Sequence, residues 1–345
     1  MARTGNEENR DRNSGRNPGR VWIAWETQRR SLNLSRRVGA ELVILDLDRL
    51  GRWRYLVSVA KTVKVLFAYR GKTVFVQNPS MILATLACLL KPVLGYLLVV
   101  DRHTAYMDAR SGGPPKQRLM RALSIFTLRH ASLTIVTNAQ LLRKVKLCGG
   151  RGAILPDPSP ELEIAPPRDH SGPFEILLVS SWAPDEPIAA VAEAARLLGP
   201  GFRIWVSGNP KSRFAEVLAG KPENFTPTGF LPDSEYFDLM RRMDCVAALT
   251  TRGATLVCGA YEAISLGKPV VLGNSKVLKD YFSLGAVYSD CSAADLARKI
   301  AQVSREYARF HGEILVFREK SRTEWEKSLL QVEDCILHLT GVKIV

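Results

Sequence analysis

Two series of short apolar runs alternate with helix-length segments, and the stretch between the series can be neither strand nor helix. The first series opens at "RVWIAW" (residues 20–25) and continues through "AELVILDLD", "TVFVQ", "LGYLLVVD" and "LTIVTN". Between these runs Leu32, Leu34 and Val38 are spaced for a helix that stops at Gly39. Leu56, Val59, Val63 and Leu66 or Phe67 then repeat every three to four residues until Gly71. Strand alternating with helix in this way predicts a parallel, doubly wound sheet. "PDPSPELEIAPPRDHSGP" (156–173) follows, with six prolines that break all periodicity. Beyond it the alternation restarts with strands at "FEILLVS", "FRIWVSG", "DCVAALTT", "KPVVLG" and "GAVYS". Helices are expected at "PIAAVAEAARLL", near "RFAEVLAG", and at "DSEYFDLMRRM", "TLVCGAYEAISLG" and "AADLARKIAQV". The predicted fold class is therefore α/β, with two Rossmann-like domains facing a cleft where ligands bind, and a C-terminal helix. The expected organisation is a polar tail over 1–19, a first domain over 20–156, a linker over 157–173, a second domain over 174–309 and a helical segment over 310–345.

Composition sharpens the contrast between the halves. The 345 residues are 46% hydrophobic, which supports two real cores and excludes disorder, collagen and coiled coil as the main architecture. Net charge is +14, but residues 21–156 hold 22 basic and 6 acidic side chains while residues 157–345 hold 21 and 25. A half at +16 beside a half at −4 points the first half toward something anionic. The six cysteines are scattered without a C-x-x-C pair, the pattern of free thiols in a reducing compartment. The opening "MARTGNEENRDRNSGRNPGR" reads as a solvated tail rather than a targeting segment, so a cytoplasmic location is expected. One stretch, "MILATLACLLKPVLGYLLVV" (81–100), has the length of a membrane span. Lys91 and Pro92 at its centre favour a buried helix, a turn and a buried strand instead.

The segment richest in chemistry is "DCVAALTTRGATLVCGAYEAISLGKPVVLG" (244–273). A strand ends near Thr250, a Gly-containing loop follows, and a helix is expected from about Leu256 with Thr255 as its N-cap and Gly267 as its stop. Loops at strand carboxyl ends are the ligand positions of open α/β sheets, and the free N–H groups of a helix start favour phosphate. Glu262 shares a helix face with Thr255, Cys258 and Gly259, roughly 9 Å along the axis from Leu256. An anion site, a small Gly259 and a carboxylate on one face suit a nucleoside diphosphate with its ribose hydroxyls on Glu262.

"GAYEAISLGKPVV", preceded by "TGFLPDSEYFDLMRRMDCVAALTT", resembles the donor-binding half of the GT-B glycosyltransferases, in particular the family-4-like enzymes with their E-x7-E motif and G-x-P-V. "VFVQNPS", "VVDRHTAYMD" and "LTIVTNAQLLRKVKLCGGRGAILPDP" resemble the acceptor half of a bacterial and archaeal branch. The resemblance runs from about Trp22 and is most specific over 174–303. It implies transfer of a sugar from a nucleotide-sugar without a metal ion or other cofactor. Glu262 matches the second Glu of the motif, whose implied role is to hold the donor ribose. The first Glu position carries Ala254, and the usual diphosphate-gripping Arg and Lys are replaced by Ser181 and Glu186 in "SSWAPDEP". Arg252 is the cation nominated in their place, and Thr255, Leu256, Gly259, Ser181 and Phe230 complete the expected donor side.

On the acceptor side, Asp101 and His103 in "VVDRHTAYMD" stand just past a buried strand. Either can take a proton from an acceptor hydroxyl within hydrogen-bond reach. The resemblance puts His103 near the transferred sugar, with Asp101 or Asp108 as base. Gln77, Asn78 and Asn138 end strands and are candidates to line the acceptor pocket. Asp46-Leu47-Asp48 is a D-x-D string, but one short match is no metal site, and the five histidines show no metal spacing. Neither G-x-G-x-x-G nor a P-loop occurs. Trp53, Tyr55, Phe67 and Tyr69 lie among basic residues but continue a helix, so nucleic acid is not an expected partner. The expectation is a glycosyltransferase acting on a polysaccharide or lipid-linked acceptor, its basic half turned to an anionic membrane surface. A nucleotide-sugar epimerase and a non-catalytic nucleotide-binding member are the alternatives.

Overall fold

Strands covered on both faces need apolar residues at successive rather than alternate positions, and both halves supply such runs. The computed structural model describes residues 19–47, 51, 53–78, 80–103, 115–166 and 172–341. The expected tail over 1–18, Asp48, Asp108 and linker residues 167–171 lie outside these. The chain divides into two units, one comprising residues up to Pro158 together with those from Glu326 onward, the other Ser159–Trp325.

Unit 1 runs β1 (Arg20–Ala24), α1 (Arg29–Arg37), β2 (Glu41–Ile44), α2 (Trp53–Ala68), β3 (Thr73–Asn78), α3 (Met81–Leu94), β4 (Leu97–Arg102), α4 (Pro115–His130), β5 (Leu133–Val136), α5 (Ala139–Leu147) and β6 (Gly152–Ile154). The strands form one parallel sheet in the order β2-β1-β3-β4-β5-β6. Val21, Ile23, Val74, Val76, Leu98 and Val100 form one side of it, packed with Leu66 of α2 and Leu83, Ala84 and Ala87 of α3. On the other side Trp22 stacks on Phe75 at 5.3 Å.

Two expectations need correction here. The helix over 81–94 does not turn at Lys91-Pro92: Pro92 sits within its last turn, and the chain leaves at Gly95, whose φ of 66° and N–H bond to Lys91 O close the helix. The core face of α2 also differs from the apolar spacing. It buries Ser58, Thr62 and Leu66, and Thr62 Oγ1 accepts a 2.9 Å bond from the Trp25 indole, while Leu56 and Phe67 are exposed.

Unit 2 runs β7 (Phe174–Leu178), α6 (Ile188–Leu198), β8 (Phe202–Ser207), α7 (Ala215–Ala219), β9 (Phe225–Gly229), α8 (Asp233–Arg242), β10 (Cys245–Ala248), α9 (Cys258–Ser265), β11 (Val270–Gly273), α10 (Lys276–Tyr281), β12 (Ala286–Ser289), α11 (Ala293–Arg305) and the start of α12 (Tyr307–Thr340). Its parallel sheet has the order β12-β11-β10-β7-β8-β9. Apolar clusters fill both faces, one under α8 and α9 and one under α6 and α11. Leu162 and Ala165 of the Pro-rich segment are tied to this unit: Ala165 N–H donates to Leu266 O, and Arg318 of α12 donates to Leu162 O and Ser265 O. The last turns of α12 belong to unit 1, where Glu333 holds Arg20 through two 2.7 Å bonds. Strands β6 and β9 and helix α10 are elements that the periodicity did not announce.

Candidate functional site

In unit 2 the strand order reverses between β7 and β10, which makes the loops after these two strands the ligand position. The loop after β7 is tightly built. Trp182 adopts φ 57°, a conformation rare for a side-chain-bearing residue, and its fully buried indole donates to Ser207 O and Gly208 O. Gly208 permits this approach, since a Cβ there would lie 2.3 Å from Ser180 O. Such over-determined strain clusters at sites that must hold a fixed shape.

The same loop is filled by its own acid. Glu186 accepts from Ser180 Oγ at 2.6 Å, from Ser181 N and Oγ at 3.1 and 2.9 Å, and from Ala183 N at 3.2 Å. A cradle of N–H and hydroxyl donors is the usual seat of a phosphate. Here a carboxylate occupies it, so Ser181 spends its donors internally. Asp185 ties the two loops together: Oδ1 pairs with Arg252 at 2.9 Å, Oδ2 accepts from Thr250 Oγ1 at 2.7 Å, and its carbonyl accepts from Thr251 N. Arg252 thus stands at the loop edge, mostly exposed, with its charge already paired.

Helix α9 begins at Cys258, two residues later than the sequence suggests, with Val257 rather than Thr255 as N-cap and no side chain capping it. The positive end of a helix dipole favours an anion at such a helix start. Glu262 is therefore one turn in, about 6 Å along the axis. It is buried and accepts a 2.6 Å bond from Tyr236 of α8. Two further assignments change. Leu256 is buried in the apolar core, and Gly259 faces protein rather than open space: a Cβ there would lie 2.7 Å from Val179 Cβ. Phe230, just past β9, is exposed, its N–H held by Asn209.

In unit 1 the reversal falls between β1 and β3, with β4 alongside. Gln77 and Asn78 of β3 stand in register with Asp101 and Arg102 of β4. Arg30, on the first turn of α1, grips Asp101 through Nε at 3.0 Å and a terminal nitrogen at 2.7 Å, and also reaches Asp157 at 2.9 Å and Leu155 O. Burial alone would raise the Asp101 pKa, but Arg30 and His103 hold it down at about 2. Arg30 in turn is held above its ordinary value by the two carboxylates, against its own burial. A carboxylate this acidic is a poor base at neutral pH, and His103 stands beside it, its Nδ1 3.5 Å from Asp101 Oδ2.

Gln77 Nε2 and Asn78 Nδ2 are buried and have no partner among the described residues. Buried amides in that state need a ligand or water. Asn138 serves differently, capping α5 through a 3.0 Å bond from Leu141 N. Arg30, Asp185 and Trp182 shape these strand ends and loops and were not singled out from the sequence. The one available signal was Arg30's place just after the first strand.

Solved structures resemble this architecture. Anabaena Alr3699/HepE, solved with UDP and glucose, matches with a TM-score of 0.68 at 15% identity, over 91% of this chain and 91% of that one. S. aureus TarM matches at 0.60 and 16% identity, over 82% of this chain and 58% of its own. The pneumococcal O-GlcNAc transferase GtfA, solved with UDP and GlcNAc, matches at 0.58 and 13%, over 81% and 59%. Likeness at these identities speaks to fold: the chain has the two-domain GT-B architecture. No protein-family model matches the sequence, and no curated protein is detectably related to it.

Proposed function

We propose that this chain is a family-4-like glycosyltransferase that moves a hexose from a nucleotide-sugar to a glycan or lipid-linked acceptor without a metal ion. The observation that carries the reading is Glu262, a buried carboxylate one turn into the helix that follows β10 at the strand-order reversal. A diphosphate at the start of α9 leaves the ribose one helical turn away, within reach of that carboxylate. The solved structures of the same fold that hold UDP with glucose or GlcNAc support a uridine nucleotide as the carrier.

Chemically, the acceptor oxygen forms a bond to the anomeric carbon as the bond from that carbon to the diphosphate breaks, and the diphosphate leaves with the electron pair. First-turn N–H groups of α9 and the Arg252 guanidinium stabilise that charge. His103 takes the acceptor proton, and Asp101, kept ionised by Arg30, supports the imidazolium. The protein works at the cytoplasmic face of a membrane, where its basic half meets anionic lipid.

A second reading, nucleotide binding without transfer, is favoured by Glu186 filling the donor cradle. A thermal-shift panel of nucleoside diphosphates and their sugars tests the shared premise. At about 100 times Kd a true ligand adds about 2.7 kcal/mol of stability. No shift with any nucleotide removes both readings. Mass spectrometry of products then separates transfer, epimerisation and binding alone.

A further inference from the structure

Unit 1 concentrates its positive charge on one layer. Helices α2, α3, α4 and α5 together carry eleven Lys or Arg and no Asp or Glu. The crossovers from β2 through β3, β4 and β5 to β6 all travel the same way along the sheet, and right-handed connection puts these four helices on one face. Helix α3 packs against both α2 and α4. Beneath them Arg102 is buried with only the Ser124 and Thr127 hydroxyls as side-chain partners, a fixed cation with no carboxylate against it among the described residues.

The outer side of this layer is apolar as well as basic. Trp53 and Leu56 of α2 are 71% and 62% exposed, and Phe67 lies on the same stripe. Leu89 and Val93 of α3 and Leu119 of α4 continue the surface, with Val93 80% exposed. Helix α2 turns serine and threonine to the sheet and keeps its tryptophan and phenylalanine outside. A helix shaped only by its own core does the reverse. Lys61 and Lys64 flank the α2 stripe, and Arg118 and Arg121 flank Leu119.

The mixture discriminates among occupants. A second copy docked about a twofold axis sets this cationic face against itself. Nucleic acid answers the charge but leaves Leu89 and Val93 without a partner. A bilayer containing anionic lipid answers both: aliphatic groups enter the acyl boundary, the indole sits at headgroup level, and Lys and Arg meet lipid phosphates. No described helix is long and apolar enough to cross a membrane, so the contact is one of surface.

We propose that the α2–α4 face of unit 1 is the surface by which the protein docks on anionic bilayers, with Trp53, Leu56 and Phe67 as its principal anchors. The proposal rests on the reading of a membrane-presented acceptor, but it uses no residue of the donor site. The test is sedimentation with phosphatidylcholine vesicles, with and without phosphatidylglycerol. It compares the parent with a Trp53→Ala/Phe67→Ala variant and a Lys61→Glu/Lys64→Glu variant, and nucleotide binding is measured on all three. Acidic vesicles are expected to retain the parent about tenfold better than neutral ones, with loss in high salt, and each variant to lose about tenfold. Nucleotide binding stays at the parent level. Equal retention on neutral and acidic vesicles, or variants retained like the parent, overturns the proposal. So does an apolar variant that turns a dimer into a monomer without changing lipid retention, since the face then belongs to a second copy. Lipid retention as expected with no nucleotide binding in any of the three proteins supports docking and counts against the donor reading alone.

Discussion

Replacing Arg30 with methionine removes the guanidinium on which Asp101 depends while keeping most of the apolar stem. The side chain makes bonds to Asp101 at 2.7 and 3.0 Å, one to Asp157 at 2.9 Å and one to Leu155 O at 2.9 Å, and Asp101 has no solvent exposure. A buried charge stripped of its partner costs about 3–5 kcal/mol. The parent Asp101 has its pKa lowered from 3.8 to about 2, so its stabilising contribution is fully present above about pH 4 and drains as pH falls through about 2. In the variant the burial that Arg30 offsets is opposed by His103 alone, and the Asp101 pKa moves up. The deficit is then largest at neutral pH and shrinks toward pH 5 as the carboxyl takes up a proton. Urea unfolding of the parent, Arg30→Met and Arg30→Met/Asp101→Asn at both pH values reads this directly. The double variant should recover more than half of the loss at neutral pH, because no buried charge remains. An Arg30→Met variant within about 1 kcal/mol of the parent, or a deficit that does not change with pH, refutes the argument.

Three further outcomes follow from the sites. Gly259→Ala forces a methyl to 2.7 Å from Val179 Cβ and should lower stability by about 1–3 kcal/mol in thermal melts; an unchanged midpoint means that α9 and β7 are not packed as described. Glu186→Gln keeps the shape of the cradle but removes its negative charge. Nucleoside diphosphate affinity should rise about fivefold in a calorimetric titration, for roughly 1 kcal/mol of repulsion removed, and a weaker or equal affinity shows that the cradle is not next to the phosphates. His103→Ala should lower kcat by about 10²–10⁴ with nucleotide affinity unchanged, and a change confined to KM takes His103 out of the chemistry.

The alternation of strand and helix was legible because parallel strands buried on both faces spell continuous apolar runs, as in "RVWIA" and "TVFVQN". Two of the edge strands were not: β6 is three residues long, and β9 contains Pro227 and Gly229, which only an edge tolerates. Helix α9 was visible but its start was not. Thr255 looks like a cap, yet the start of the loop before it, Thr250 and Thr251, is fixed by the Asp185 carboxylate and carbonyl, contacts 65 and more residues distant in sequence. The Arg30–Asp101 pair spans 71 residues and leaves no local pattern. Helix α2 misled for a different reason. It is apolar around most of its circumference, and the choice of buried face falls to the Trp25 indole, which needs the Thr62 hydroxyl as acceptor. Glu186 was legible as a departure from the expected cation, though not as the acceptor that fills its own loop.

The claim that a nucleotide-sugar is held on Glu262 is tested most directly by calorimetric titration of the nucleoside diphosphate that gives the largest thermal shift into the parent, Glu262→Ala and Tyr236→Phe. Tyr236→Phe removes the hydroxyl bonded to Glu262 at 2.6 Å but keeps the carboxylate, and so reports the effect of local packing alone. The account predicts that Glu262→Ala weakens binding at least about tenfold, a loss of about 1.4 kcal/mol, while Tyr236→Phe stays within about threefold of the parent. Binding by Glu262→Ala at the parent's affinity contradicts it.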